Sequence, residues 1–118
     1  MKRFLGIYIG TTSALERSDW KKLNEDERRK RQESGIKAWM EWGEAHRGAI
    51  IDQGAPLGRT KRASSKGVAD IKNNMTGYVI LEAESHEAAA SMFENHPHFT
   101  IFPGDSVEIM ECLPLPAQ

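Results

Sequence analysis

Two histidines on either side of a proline are the residues of this chain best suited to chemistry. His96 and His98 flank Pro97, and Asp105 lies seven residues after His98. A histidine with a pKa near neutrality can act as a general acid or base, and two histidines with a carboxylate can bind a divalent metal ion. Because no third ligand lies at a fixed offset from the pair, the sequence does not predict a metal site. No cofactor is expected either, since the sequence has no Gly-rich phosphate loop and no paired Cys-x-x-Cys.

The same pair also has a structural interpretation. A helix tends to end before a proline, because the residue that precedes proline is pushed out of the helical region. His96 would then lie at the C-terminal end of a helix, where its ring could satisfy the last carbonyl groups. The sequence leaves both interpretations of His96 open, a helix cap or a polar group of a binding pocket. It places His98 in an extended segment and leaves the direction of its side chain undetermined.

The segment before these histidines predicts a buried strand and then a helix. Residues 78–83, YVILEA, carry apolar side chains on both faces of the strand. Ser85 is the expected N-cap of a helix over residues 86–95. The spacing of the apolar residues puts one side of this helix toward the core, namely Ala89, Met92, Phe93 and His96.

A long helix is expected over residues 25–46. Asn24 is its expected N-cap, and Glu27 completes a capping-box pattern. The first half, residues 25–34, has no apolar side chain. Trp42 lies off the apolar stripe of the second half, and we expect it to contact a neighbouring chain or loop. That stripe repeats at three- and four-residue spacing: Ile36, Trp39, Met40 and Gly43.

The remaining segments complete an α+β fold. They are, in chain order, a strand at 4–9, a connector at 13–18, a helical turn ending near Leu23, an irregular strand edge at 49–58, a polar hairpin arm at about 58–72, a loop at 100–105, a strand at 106–112 and an extended tail at 113–118. This order is the split β-α-β pattern of ferredoxin-like folds with an antiparallel sheet. Residues 1–118 are expected to form a single domain, since so short a chain has no room for two cores.

The apolar strands also predict an assembly. Two helices can cover only one face of a four-stranded sheet, yet the strands at 4–9 and 78–83 are apolar on both faces. Soluble monomers rarely expose so large an apolar patch. We therefore expect a homodimer in which two copies pack sheet to sheet with two-fold symmetry.

Composition excludes several classes of partner. The formal net charge is −1, which gives no reason to expect nucleic acid or a membrane surface as partner, and the basic stretch at 59–66 has no aromatic residue to stack on bases. The single cysteine, Cys112, cannot form an intrachain disulfide, which fits a reducing compartment. No apolar run is long enough for a signal peptide or a membrane span, so we expect a cytoplasmic protein.

A small-molecule pocket is expected between the sheet and the helices. Aromatic and histidine side chains would form its wall: Tyr8, Trp39, Tyr78, Phe93 and His96. Asp52 would add a carboxylate beside the turn at 54–57, where glycine permits close approach of the backbone to a ligand. A turn alone explains that glycine equally well, and Trp39 and Trp42 could also belong to the core or to a dimer interface.

With these residues identified, the chain resembles the YCII-related domain family, close to its DGPF-type members. The likeness spans about residues 4–114 and is carried by LNEDERRKR with WMEW, QGAPLG, GYVILEA with SHEAA, ENHPHF and VEIMECLP. Its most specific parts are the His-Pro step after the second helix and the V-E-I strand that follows. The family is similar to the dimeric α/β-barrel superfamily, which includes muconolactone-isomerase-like enzymes and small monooxygenases.

The resemblance implies a homodimer of ferredoxin-like subunits, with a pocket between sheet and helices and a His–Asp pair in it. Only the His-Pro position carries over, onto His96. Two features of the family are absent from this chain. Members of the family's short branch have a histidine soon after the first strand, but here no histidine precedes His46. The region that corresponds to the DGPF-like tetrapeptide reads VADIKNN. Two functions fit these residues. One is binding of a small organic ligand with acid–base chemistry through His96 or His98; the other is a non-catalytic dimeric binding or regulatory module with structural histidines.

Overall fold

Four antiparallel strands form the main sheet, in a computed structural model that describes residues 1–116. The six strands of the chain are β1 (Lys2–Ile9), β2 (Ile50–Asp52), β3 (Thr60–Ser64), β4 (Gly67–Ile71), β5 (Met75–Ala83) and β6 (Ser106–Glu111). The main sheet has the order β2-β5-β1-β6, and all its neighbouring strands run antiparallel. This is the strand order of a ferredoxin-like α+β fold, as the sequence predicts.

Four helices connect these strands. They are α1 (Thr12–Arg17), α2 (Glu25–Ala45), α3 (His86–Ser91) and α4 (Pro97–Thr100), with a short 3-10 turn at Trp20–Lys22. The predicted capping box of α2 is confirmed. The Asn24 side chain accepts the Glu27 N–H at 2.8 Å, and the Glu27 carboxylate accepts the Asn24 N–H at 3.0 Å. These bonds satisfy two of the amide groups that a helix N-terminus leaves free.

Two predictions about irregular segments are wrong. The expected connector at 13–18 belongs largely to α1, because the Thr11 hydroxyl accepts the Ala14 N–H and caps a helix there. The segment around His98 is helical rather than extended. The chain turns at Asn95, whose φ of 57° is left-handed, and it starts α4 at Pro97, where a missing N–H costs nothing.

The α2 helix turns a different face toward the sheet from the predicted one. Trp39 packs against the core as expected, but Ile36 and Met40 are 56% and 71% exposed. Trp42, expected to contact a neighbouring chain or loop, contacts the turn that follows α3. This side chain packs against the core, and its indole N–H donates to the Met92 carbonyl at 2.7 Å.

Gly35 accounts for that difference. It is the buried residue of α2, and a Cβ atom on it would lie 2.5 Å from the Phe102 ring and 3.1 Å from Ile101. The helix can therefore approach the segment after α4 closely only through this glycine. Glycine has no side chain, so a prediction from apolar side chains does not count a helix contact made through glycine. The predicted buried face of α2 is therefore displaced by one residue from the observed one.

The core lies between the helices and one face of the sheet. Its largest fully buried side chains are Phe4, Val79, Leu81 and His96. The opposite face of the sheet is apolar too, and within residues 1–116 no helix or strand covers it; its side chains include Leu5, Ile7, Ile9, Ile80 and Met110. The strands are therefore apolar on both sides, as their sequences predict.

Two further segments lie outside the main sheet. β3 and β4 pair with each other as a separate two-stranded ribbon within the arm expected at 58–72. Residues 113–116 form neither helix nor strand, and the last two residues of the tail expected at 113–118 lie outside the described part of the chain. No helix among the described residues is both long and apolar enough to cross a membrane.

Gly54 should be far less tolerant of alanine than Gly58, in the same loop. Gly54 has a φ of 70°, and a Cβ atom on it would overlap with the Tyr78 carbonyl oxygen, whereas a Cβ atom on Gly58 meets nothing within 4 Å. We expect Gly54→Ala to lower the free energy of unfolding by about 2 kcal/mol or more and Gly58→Ala to change it by less than about 0.5 kcal/mol. Urea denaturation measures both, and equal effects would contradict the packing of this loop against β5.

Candidate functional site

A cluster of rings packs around Tyr8 in the centre of the molecule. The Tyr8 ring centroid lies 4.8 Å from that of Trp39 and 5.2 Å from those of His96 and His98. The Trp39 and His96 rings are 4.5 Å apart and nearly perpendicular. Tyr8, His96 and His98 are each less than a tenth exposed. The structure thus brings together residues from β1, α2 and the start of α4 that are far apart in sequence.

His96 caps a helix, although not the one that the sequence indicates. Its Nδ1 accepts a hydrogen bond from the His98 N–H at 3.0 Å, so His96 is the N-cap of α4. The expected bonds to the last carbonyls of the preceding helix are wrong, because the ring acts as an acceptor at the start of the next one. Since Nδ1 accepts this bond, a neutral His96 must carry its proton on Nε2.

The Nε2 of His96 points to the Tyr8 hydroxyl, with 3.5 Å between the nitrogen and the oxygen. Because Nε2 carries the proton, His96 is the donor of this long hydrogen bond and Tyr8 is the acceptor. The hydrogen of the Tyr8 hydroxyl is then not used by His96. Within residues 1–116 no acceptor takes it. Tyr8 therefore keeps one free hydrogen-bond donor.

His98 links α4 to the end of β1. Its Nε2 lies 2.8 Å from the Ile9 carbonyl oxygen, and because a carbonyl can only accept, His98 donates this bond. Gly104 lies against the His98 ring, and a Cβ atom on it would overlap with that ring. Asp105 pairs instead with Arg17 at 3.3 Å. The carboxylate of Asp105 therefore pairs with a basic side chain and forms no hydrogen bond with His96 or His98 within residues 1–116.

Burial keeps the titratable groups of this cluster uncharged. Desolvation, together with repulsion from charge on His98 and His46, lowers the pKa of His96 to about 4. Burial also lowers the pKa of His98. The hydrogen bond to the Ile9 carbonyl and the charge of Asp105 act in the opposite direction and raise this pKa, but by less. Burial raises the pKa of the Tyr8 hydroxyl. At neutral pH the cluster is therefore a set of neutral donors and acceptors.

An open, largely apolar cavity of about 430 Å³ lies beside this cluster. It is bounded by one face of α2, by the loop after β2 and by the start of β5. Its lining residues are Tyr8, Ile36, Trp39, Met40, Gln53, Gly54, Ala55, Pro56, Thr76, Gly77, Tyr78 and Phe102. The volume is within the range of small-molecule sites, and apolar walls with few polar groups are typical of them.

The expected wall residues divide into two groups. Tyr8, Trp39 and Tyr78 border the cavity. His96 and Phe93 are buried behind it, with 0% and 3% of their surface exposed, and do not line it. These two residues were expected in the wall because of helix periodicity. Periodicity identifies the buried face of a helix but not how far a side chain on that face lies from a cavity.

Asp52 does not face the cavity either. It is exposed, and its carboxylate accepts the Gly54 N–H at 2.8 Å and so stabilises the turn. The sequence missed Ile36, Met40 and Phe102 as wall residues, and Gly35 beside Ile36 was the signal that could have located this face of α2. No group of three or more His, Cys, Asp or Glu side chains within residues 1–116 could hold a metal ion.

The fold has a counterpart among solved structures. The chain is similar to 5-chloro-2-hydroxyhydroquinone dehydrochlorinase from Burkholderia phenoliruptrix AC1100, solved in complex with 2,5-dihydroxybenzoquinone. The TM-score is 0.53 at 18% sequence identity, over 92% of this chain and 90% of that one. At this identity the likeness shows a shared fold. No protein family and no curated protein matches the chain by sequence.

The free energy of unfolding should fall as the pH is lowered from about 6.5 toward 4. The pKa of His96 is about 4 in the folded protein against an ordinary 6.5. Between these values the unfolded chain binds more protons, so acid favours unfolding. Each pH unit in this window should cost up to about 1.4 kcal/mol from this residue. Urea denaturation at a series of pH values measures the slope.

The control for this prediction is His96→Asn. An asparagine oxygen can still accept the His98 N–H, but the side chain does not titrate. The slope of stability against pH should therefore be shallower in the variant, whatever its stability at neutral pH. An equal slope in both proteins would contradict a buried neutral His96.

Proposed function

We propose that this protein binds a small, flat organic molecule in the cavity beside Tyr8 and Trp39. The observation that carries the proposal is the free donor of the Tyr8 hydroxyl, on a side chain that borders an apolar cavity of about 430 Å³. A hydrogen bond from this donor to a ligand oxygen contributes about 0.5–1.5 kcal/mol net of the bond to water that it replaces. This free energy would add to that of burying the ligand's apolar surface.

The wall residues indicate the shape and chemistry of the ligand. Tyr8, Trp39 and Phe102 contribute aromatic rings to the cavity, and aromatic side chains pack well against a flat ring. The only orientation that His96 leaves to the Tyr8 hydrogen is donation to another group. The ligand should therefore present a carbonyl or a similar acceptor oxygen. A flat ring with carbonyl oxygens, such as a quinone, meets both conditions.

The structural neighbour supplies a first probe. The dehydrochlorinase is bound to 2,5-dihydroxybenzoquinone, a flat ring with carbonyl and hydroxyl oxygens, and this compound is of the class proposed for the cavity. The proposal for this chain depends on Tyr8 and its surroundings, and the neighbour serves to choose the compound that is tested.

The hydrogen bonds favour a binding module over acid–base catalysis by His96. A base must have a free lone pair, but Nδ1 of His96 accepts the His98 N–H and Nε2 carries the proton. A pKa of about 4 also makes His96 a weak base at neutral pH. His98 donates from Nε2 to the Ile9 carbonyl, so a neutral His98 has its lone pair on Nδ1, and burial lowers its pKa. We therefore infer that His96 positions Tyr8, as in the second of the two functions that the sequence suggests.

The proposed assembly is a homodimer formed through the open face of the main sheet. Leu5, Ile7, Ile9 and Ile80 lie on this face, and Met110 on β6 is 41% exposed. A contiguous apolar surface of this kind is typical of an interface. A second copy, packed sheet to sheet around a two-fold axis, would cover it.

Tyr8→Phe should weaken binding of 2,5-dihydroxybenzoquinone by about five- to tenfold, which corresponds to the roughly 1 kcal/mol of one hydrogen bond. Tyr78→Phe is the matched control, because Tyr78 borders the same cavity but pairs with Ile7, so its side chain leaves the sheet on the face opposite to that of Tyr8. Calorimetry or quenching of Trp39 fluorescence measures the affinity. No binding by the wild type, or equal losses in the two variants, would contradict the proposal.

A further inference from the structure

A two-stranded arm extends away from the main sheet. β3 and β4 pair only with each other, and the radius of gyration is 16.4 Å, against about 13.5 Å for a compact chain of this length. An isolated two-stranded hairpin is marginally stable in water. Val68, near the tip of the arm, is 71% exposed. The arm thus offers an apolar side chain and two strands that packing against another surface would stabilise.

The arm is strongly basic. Residues 58–72 contain five basic side chains and one acidic side chain, a net charge of +4 in a chain of net charge −1. The acidic residue, Asp70, is already paired with Lys61 at 2.6 Å. Arg62 and Lys66, close to the tip, form no ion pair within residues 1–116. A surface complementary to the arm should therefore be acidic with an apolar centre.

The outer face of α2 has this character. A shallow groove runs along it, with Ile36 and Met40 among its lining residues. The charged residues of the groove are Glu33, Lys37, Glu41 and Glu44, three acidic and one basic. Glu44 already pairs with Arg47 at 3.4 Å, so Glu33 and Glu41 carry the acidic character of the groove. Ile36 and Met40 also border the ligand cavity. Whatever covers this groove therefore covers part of the rim of the cavity.

We propose that the arm of one copy packs on the α2 groove of a second copy in the dimer, with Val68 against Ile36 and Met40. The opposite charges of arm and groove favour this contact, and the basic residues near the tip can pair with the carboxylates of Glu33 and Glu41, which form no ion pair within residues 1–116. A nucleic acid is a poorer occupant, because the arm has no aromatic side chain to stack on bases.

The docked arm would also cover part of the rim of the partner's cavity. The functional meaning of this cover rests on the proposed ligand site, whereas the docking itself does not depend on a ligand. If both hold, each ligand site is completed by the other copy. The ligand would then stabilise the dimer, because a ligand favours the state that binds it better. This link would also explain why two apolar residues on α2 are exposed where a solvated helix face would be polar.

Cysteine cross-linking between two singly substituted chains tests the docking without any ligand. Both chains carry Cys112→Ser, because Cys112 is an exposed free thiol. One carries Val68→Cys and the other, with a larger tag, carries Met40→Cys. After mild oxidation we expect the linked hetero-dimer to be the main product on a non-reducing gel. It should decrease at about 1 M salt, where the Debye length is only about 3 Å.

The matched control pairs the Val68→Cys chain with a Glu25→Cys chain. Glu25 is exposed on the first turn of α2, about 22 Å along the helix from position 40, so this pair should link far less. Equal linking of the two pairs, or none in either, would overturn the docking. A protein that light scattering shows to be monomeric would do the same. If linking succeeds and no quinone binds, the docking holds and the proposed ligand site fails.

Discussion

The hydrogen bond from the His98 N–H to Nδ1 of His96 determines much of the surrounding structure. It begins α4, and it forces the proton of a neutral His96 onto Nε2. It also holds the His96 ring against Trp39, on the side that faces Tyr8. Without it, a completely buried imidazole would have an unsatisfied nitrogen, which costs more than the bond itself contributes.

This bond also affects Tyr8, which borders the cavity. Because His96 donates to the Tyr8 oxygen, the direction of the tyrosine hydroxyl is set from the core. Under the proposed function, the Tyr8 hydroxyl would donate to one acceptor oxygen of a flat ligand. In that proposal His96, which first suggested catalysis, acts through packing and through the direction of its hydrogen bond.

The sequence predicted the fold well because the fold depends on local patterns. Strand faces repeat every second residue, and the capping box of α2 needs only Asn24 and Glu27. The site was harder to predict from the sequence, because it depends on tertiary contacts. A glycine contact at Gly35 selects the buried face of α2, and the left-handed Asn95 allows α4 to form. The bond partner of His98 lies 89 residues away, on β1, and no local pattern indicates such a partner.

The state of His96 in solution tests this account most directly. Nitrogen-15 NMR of the imidazole side chains distinguishes the two neutral tautomers from the charged ring. We expect His96 to carry its proton on Nε2 at neutral pH and to remain neutral down to about pH 5, because its pKa is about 4. A proton on Nδ1, or a charged ring at neutral pH, would contradict the bond from His98 and the orientation of Tyr8 that depends on it.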